Sequence, residues 1–244
     1  MNILAIDTAT SLFSLALSSP GGIRLFEIDG ALKHSEILME AADYLFQETG
    51  MERGDLHLVA CMEGPGSFTG LRIGFAAAKG LAAALAIPLA PVPTLDCMAY
   101  PFSIWPGLVL PLIDAKQGRF FTAVYRQGER LTEFLDAGPG EIGDAILKHQ
   151  LPKPAVTALS PVLLTGPDAP LFLERLKPLP RDVSLVIDPA HRRGKSRELL
   201  EISGKQAIIK TTEEVFSEDS GPMYLRKSDA ELNFRTEPFD GVRI

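Results

Sequence analysis

Residues 56–86 constrain this chain more than any other stretch. An apolar run, LHLVACM (56–62), leads into GPGSFTGLRIG (64–74) and then into the Ala-rich FAAAKGLAAALA (75–86). A short apolar run stopped by glycines reads as a buried strand, and the alanine run as a helix, so the fold must accommodate a strand, a tight loop and a helix in succession. Over about 71–86 the residues Leu71, Phe75, Ala78, Leu81 and Leu85 share one helical face, while Ala76, Ala77, Gly80, Ala83 and Ala84 cover most of the rest. Small residues let backbones approach closely, so this helix is built for packing on more than one side.

The loop between them fails three familiar patterns. Gly64, Gly66 and Gly70 give G-x-G-x-x-x-G, one residue away from the dinucleotide-binding spacing. No Gly-Lys-Ser/Thr ending supplies a lysine for a β- or γ-phosphate. Ser67 has Pro65 two residues before it, where the pattern needs glycine, and Phe68 beyond it, so the G-x-S-x-G nucleophile turn is absent. Two readings stay open. The amides from Ser67 to Arg72 lie at a helix N-terminus and would suit an anion, with Arg72 nearby. Alternatively the glycines serve a tight turn, and Ser67 or Thr69 caps the helix.

Around this unit the pattern alternates strands and helices. NILAID (2–7), SLFSLALS (11–18) and IRLFEID (23–29) predict a three-stranded antiparallel meander, with SPGG as a turn. A helix over 35–49 follows, with Ser35 as N-cap, Gly50 at its far end, and a broad apolar arc that includes Ile37, Leu38, Ala41 and Leu45. A short helix is expected near 94–100. The proline-rich PFSIWPG (101–107) then suggests a boundary, giving an N-terminal half, 1–105, a C-terminal half, 106–219, and a polar tail, 220–244, that packs back on the body. In the second half strands are expected at LVLPLIDA, RFFTAVYR, 130–136, 162–166 and 183–188, with helices at 140–149 and APLFLERL, and a Pro-rich connection at 151–161. No internal repeat is evident.

Charge narrows the partners. Residues 1–110 carry 5 Lys/Arg against 11 Asp/Glu, a net of −6, which argues against a nucleic-acid grip by this half. The basic HRRGKSR (191–197) reads as a solvated loop, since no aromatic residues interleave. Cys61 and Cys97 sit in apolar surroundings and read as buried thiols of a reducing compartment. The apolar runs are interrupted by Lys79, Pro88, Pro91 and Pro93, so no membrane span, and a cytoplasmic location, is expected. His34, His57, His149 and His191 have no metal-ligand spacing, and no nucleophile–base arrangement stands out.

The opening strands ending IDTAT, the helix beginning HSE, GPGSFTGLRIG with its Lys-Gly-Leu-Ala helix, DAKQGRFFTAVY (114–125) and PMYLR (222–226) together resemble the TsaB (YeaZ) family. Its members are non-catalytic subunits of the bacterial machinery that makes threonylcarbamoyladenosine at position 37 of tRNA. The resemblance is dense over about 1–125, loose over 126–215, and returns at the tail. It implies an α/β, actin-like ATPase fold of the sugar kinase, heat-shock chaperone and actin class, built of two ribonuclease-H-like halves with mixed sheets and flanking helices. Active members of that class carry Asp-x-Gly-Thr after the first strand. Here Asp7-Thr8-Ala9-Thr10 lacks the glycine, so the resemblance implies a vestigial anion or nucleotide loop made by Asp7, Thr8, Gly66, Ser67, Thr69, Gly70 and Arg72. The metal-binding histidines of the catalytic paralogue TsaD correspond to Thr94 and Met98, so no metal site is implied. Nor is a cofactor, except a nucleotide shared at an interface with TsaD. The implied partners are TsaD, the ATPase TsaE, tRNA through the complex, and a second copy when TsaD is absent. The implied partner surface is Ile37, Leu38, Ala41, Leu45, Leu71, Phe75, Ala76 and Lys79. The competing expectations are a small-molecule kinase or ATPase of the same fold, which the missing glycine disfavours, and a metalloprotease, which the missing ligands disfavour more strongly.

Overall fold

The computed structural model describes residues 1–30, 34–150, 161–178, 183–209 and 221–225. Two sheets carry the architecture. The first has the order β3-β2-β1-β4-β5, from β1 (Ile3–Asp7), β2 (Leu12–Ser19), β3 (Gly22–Asp29), β4 (Leu58–Gly64) and β5 (Leu89–Pro93). The first three strands form the expected antiparallel meander, and β4 and β5 run parallel to β1. The second sheet has the order β10-β7-β6-β11-β12, from β6 (Leu108–Lys116), β7 (Arg119–Thr122), β10 (Leu135–Ala137), β11 (Val162–Thr165) and β12 (Leu185–Ile187). Here too the first three strands are antiparallel, and β11 and β12 run parallel to β6. A ribbon of β8 (Tyr125–Arg126) and β9 (Glu129–Arg130) pairs with the start of β6. Order and directions match between the sheets, a repeat of topology that the residue pattern does not disclose. This is the pair of ribonuclease-H-like halves of an actin-like ATPase fold.

Side chains of successive strand residues alternate between the faces. Leu4 and Ile6 join Phe13, Leu15, Val59 and Cys61 on one side of the first sheet, under α1 (His34–Thr49) and α2 (Phe68–Leu85). Ile3, Ala5, Ala16 and Ala60 face the other way, against Leu199 and Leu200 of α6 (Ser196–Ile209). Between the sheets lies α3 (Thr94–Ala99): its Cys97 joins the core of the first sheet, while Leu95, Met98 and Ala99 pack on Val109, Ile113 and Leu163 of the second. The outer face of the second sheet is covered by α4 (Pro139–His149) and α5 (Ala169–Arg175) through Ile142, Ile146, Ala169 and Phe172.

Several local expectations need adjusting. α2 starts at Phe68, three residues early, because Ser67 Oγ accepts the Gly70 amide at 3.2 Å and caps the helix. The strand expected over 130–136 is divided between β9 and β10. α6, to which the residue pattern assigns no element, lies in the second half by sequence and packs on the first sheet. Most of the Pro-rich connection and most of the tail lie outside the described residues. By length and composition α2 is apolar enough to cross a membrane; its apolar face is instead buried on the sheet through Leu71, Phe75, Ala78 and Ala82.

The largest correction concerns the implied partner surface. Leu38, Ala41, Leu45, Leu71 and Phe75 are buried in the core of the monomer. They are the inward stripes of α1 and α2, and a helix lying on a sheet spends its most apolar stripe there. Ile37 and Lys79 are half-buried, the latter with its ammonium 5.7 Å from the Phe75 ring centroid. Of the eight residues only Ala76 faces fully outward, on a strip with Arg72, Gly80, Ala83 and Ala84. On α1 the outward positions include Met39 and Tyr44.

Candidate functional site

The structure gathers five of the seven residues of the implied anion loop at the end of β1, and binds or packs them against other groups of the chain itself. Asp7 ends β1 and is 3% exposed. Its Oδ1 accepts the Ala9 amide at 3.1 Å. Its Oδ2 accepts the Lys195 amide at 2.8 Å and lies a long 3.5 Å from the Ser14 hydroxyl. Ser14 Oγ in turn accepts the Ser196 amide at 3.2 Å. The first turn of α6 is therefore capped by side chains of β1 and β2, and Asp7 acts as the acceptor for a helix N-terminus 188 residues away. Burial pushes the Asp7 carboxyl up to about 6, against the pull of the Lys195 and Ala9 amides and the Lys195 ammonium.

Thr8 is committed in the same way. Its hydroxyl donates to the Gly70 carbonyl at 2.7 Å, and the Ser67 amide donates to the Ala9 carbonyl at 2.7 Å. Gly66, Gly70 and Gly74 follow one another at intervals of four, one line along the start of α2. A Cβ at Gly66 would overlap the Ala9 carbonyl, and one at Gly70 the Thr8 carbonyl; one at Gly74 would overlap the Thr8 hydroxyl. The glycines thus form a groove that the Thr8–Ala9 backbone fills. The Ser67 amide, which an anion would need, is given to a carbonyl oxygen. The G-x-x-x-G-x-x-x-G spacing of residues 66–74 is the signal that separates such a packing groove from a phosphate cradle.

Thr69 and Arg72 do not join this cluster. Thr69 is exposed. Arg72 turns to the tail, with its Nε donating to the Tyr224 hydroxyl at 3.1 Å and its guanidinium 3.8 Å above the Phe68 ring.

The basic stretch 191–197 is solvated only in part: Arg192, Arg193 and Arg197 are exposed, whereas Lys195 and Ser196 are buried. Lys195 is 4% exposed, and Gly194 packs against Ser14 so closely that a Cβ would overlap its hydroxyl. The Gly194 amide donates to Glu27 at 3.0 Å. Arg192 grips Asp29 with two hydrogen bonds, Nε to Oδ2 at 2.8 Å and Nη2 to Oδ1, and this guanidinium holds the Asp29 carboxyl below its usual range. Of the cations in this stretch Arg192 faces the acidic edge of β3, Arg197 pairs with Glu201 of α6 at 3.4 Å, and Arg193 is exposed. Sequence reading missed these contacts because Asp7, Glu27 and Asp29 are more than 160 residues from their partners.

Chemistry beyond this cluster is sparse. Thr94 and Met98 are both buried on α3, the first with a hydroxyl that lacks a hydrogen-bond partner. Among the described residues no group of three or more His, Cys, Asp or Glu is placed to hold a metal. Cys61 and Cys97 are buried, and desolvation pushes both thiols above their usual range, so neither is a reactive thiolate.

Comparison with known proteins places these features in context. Residues 29–234 match the family described as TsaD: tRNA N6-adenosine threonylcarbamoyltransferase. The chain is 36% identical over 134 residues to the tRNA threonylcarbamoyladenosine biosynthesis protein TsaB of Bacillus subtilis, covering 54% of this chain and 58% of that protein. It is 35% identical over 156 residues to TsaB of Escherichia coli, covering 62% and 64%. The match thus spans less than two thirds of either relative. The solved structure of YeaZ from Pseudomonas aeruginosa superposes with a TM-score of 0.71 at 24% identity, over 92% of this chain and 99% of that one, and so shares the fold.

Proposed function

The chain belongs to the family described as TsaD, tRNA N6-adenosine threonylcarbamoyltransferase, and is of the TsaB/YeaZ type; from that premise we propose that it serves tRNA threonylcarbamoyladenosine synthesis as a non-catalytic subunit. It pairs with the catalytic subunit TsaD, helps bring in the ATPase TsaE, meets tRNA only through the complex, and forms a homodimer when TsaD is absent. It works in the cytoplasm and carries no cofactor of its own, a nucleotide entering only at the interface with TsaD.

The observation that carries the non-catalytic reading is the filled groove. The two groups that would meet phosphate and metal in an active member, Asp7 and Thr8, are bound to Lys195, Ala9 and Gly70 of the same chain. Releasing them would uncover the first turn of α6 and leave buried donors unpaired, at about 1–3 kcal/mol each. A subunit that no longer binds a nucleotide can keep that geometry as a fixed turn.

Reconstitution tests the reading. The chain alone is expected to show no ATP turnover and no tRNA modification. Together with TsaD, TsaE, the threonylcarbamoyl-adenylate synthase, tRNA, ATP, bicarbonate and threonine it is expected to restore modification. Ala76→Glu places a charge on the outward strip of α2 and is expected to leave the fold intact by circular dichroism while abolishing TsaD pull-down, since an unpaired charge in an interface costs several kcal/mol. Ala41→Arg is not a usable probe, because Ala41 is in the core. ATP turnover by the lone chain that Asp7→Ala removes would overturn the reading.

A further inference from the structure

The short segment at the tail is seated at one place, where β4 runs into the glycine loop. The Met223 amide donates to the Glu63 carbonyl at 2.7 Å. The pairing of β4 with β5 shifts register between Met62 and Gly64, and the tail donates to the carbonyl at that shift. Gly64 has φ +120, and a Cβ there would come within 2.5 Å of the Met223 carbonyl oxygen. Tyr224 then lays its ring on Phe68, with centroids 4.8 Å apart, and its hydroxyl accepts from Arg72. Backbone, glycine, aromatic ring and guanidinium thus hold two consecutive tail residues, Met223 and Tyr224.

The loop they touch is also held from beneath. Immediately after Gly64, Gly66 and Ser67 meet Ala9, and Gly70 meets Thr8. The glycine loop therefore lies between the tail on its outside and the Asp7–Thr10 turn on its inside.

We propose that Met223 and Tyr224 are a latch that clamps the glycine loop onto the Asp7–Thr10 turn, so that the loop loosens when the tail leaves. The latch is anchored by Tyr224, which remains 42% exposed and contributes to no core cluster. It can therefore be removed without opening a cavity. The contacts it makes are of the kind worth little singly, a tilted ring pair and two hydrogen bonds, so the latched and open states differ by an amount that one substitution can reverse.

Native-state amide hydrogen exchange on the full chain tests this. In Tyr224→Ala the Met223 amide is expected to exchange about tenfold faster or more, and the Ser67 amide, on the inner side of the loop, to accelerate with it. The Lys195 and Ser196 amides, bound to Asp7 and Ser14, are expected to keep their protection. Tyr224→Phe, which keeps the ring and loses the bond from Arg72, is expected to fall between wild type and Tyr224→Ala. Acceleration at Met223 with Ser67 unchanged would show a tail that sits on the loop without holding it, and would overturn the proposal. So would no acceleration at either amide, or an equal acceleration at Lys195 and Ser196, which would mark general destabilisation.

Discussion

The β1–β2 and β6–β7 hairpins are the same device used twice, and they differ in what surrounds them. Each carries an aspartate at or near the end of its first strand, Asp7 closing β1 and Asp114 two residues short of the end of β6, and in each Oδ1 accepts the amide two residues on: Ala9 to Asp7 at 3.1 Å, Lys116 to Asp114 at 2.9 Å. The second oxygen separates them. In Asp7 it is buried and takes the Lys195 amide; in Asp114 it takes the ammonium of its own neighbour Lys116, whose side chain is 79% exposed. The turn after Asp7 is pressed into the glycine line of α2, whereas the turn after Asp114 passes through Lys116, Gln117 and Gly118, all at positive φ, with open space around the Gly118 Cα. One motif, repeated, is a packing joint in one half and a surface turn in the other. The two turns share the bond from the carboxylate to the amide two residues on; they differ in the backbone that follows and in the partners around it.

Substitutions can break that comparison. The largest contrast is expected between Gly70→Ala and Gly118→Ala. Helix propensity alone would favour alanine at Gly70 by about 1 kcal/mol. The methyl group must nevertheless displace the Thr8 carbonyl, backbone against backbone, and overpacking of this kind costs about 3 kcal/mol or more. Gly118→Ala meets no atom and is expected to cost only the left-handed backbone, about 1 kcal/mol. Chemical denaturation of the two variants decides the matter. Equal losses would mean that the groove yields.

The aspartates come next. Asp7→Ala leaves the Lys195 and Ala9 amides unpaired in the interior and is expected to cost about 2–3 kcal/mol near neutral pH, against less than about 1 kcal/mol for Asp114→Ala. The pH dependence sharpens this. The folded-state carboxyl of Asp7 sits at about 6 and its ordinary value is 3.8. Between those values the folded protein binds the proton more tightly than the unfolded chain does. The contribution of Asp7 to stability therefore rises as pH falls from about 6 towards 4 and is flat above that window. Wild type should accordingly gain on Asp7→Ala across it, by up to about 3 kcal/mol. A constant difference between the two denaturation curves would remove Asp7 from the account.

The smallest effects belong to the exposed ion pairs. Arg192→Ala and Lys116→Ala, one pairing with Asp29 and the other with Asp114, are each expected to cost less than about 1 kcal/mol and to cost less still in 1 M salt. A large, salt-independent loss for Arg192→Ala alone would show that its grip on β3 positions α6.

Much of this was legible in the residues. The meander, the capped α2 and the placement of Asp7 at a strand end all follow from local pattern, because each depends on neighbours within a few positions. The roles of Ser14, Gly194 and Lys195 do not, since their partners are far along the chain. α6 was missed because its buried face mixes Leu199 and Leu200 with Ser203, which blunts its apolar stripe. The partner surface was misread for the opposite reason. α1 and α2 are apolar around so much of their circumference that only the structure says which side is outward. Ala76 survives as a surface residue and Ala41 does not.

The position of α6 also sets an order of events during synthesis. The strands of the first sheet are complete by residue 93, yet Ala5, Ala16 and Ala60 receive Leu199 and Leu200 as cover only after a further hundred residues have been made. At bacterial elongation rates that is a wait of roughly ten seconds. Throughout it this face of the nascent sheet lacks the cover of Leu199 and Leu200, and Asp7 and Ser14 have no helix to cap. The half of the protein that emerges first from the ribosome is thus the half that must be finished last.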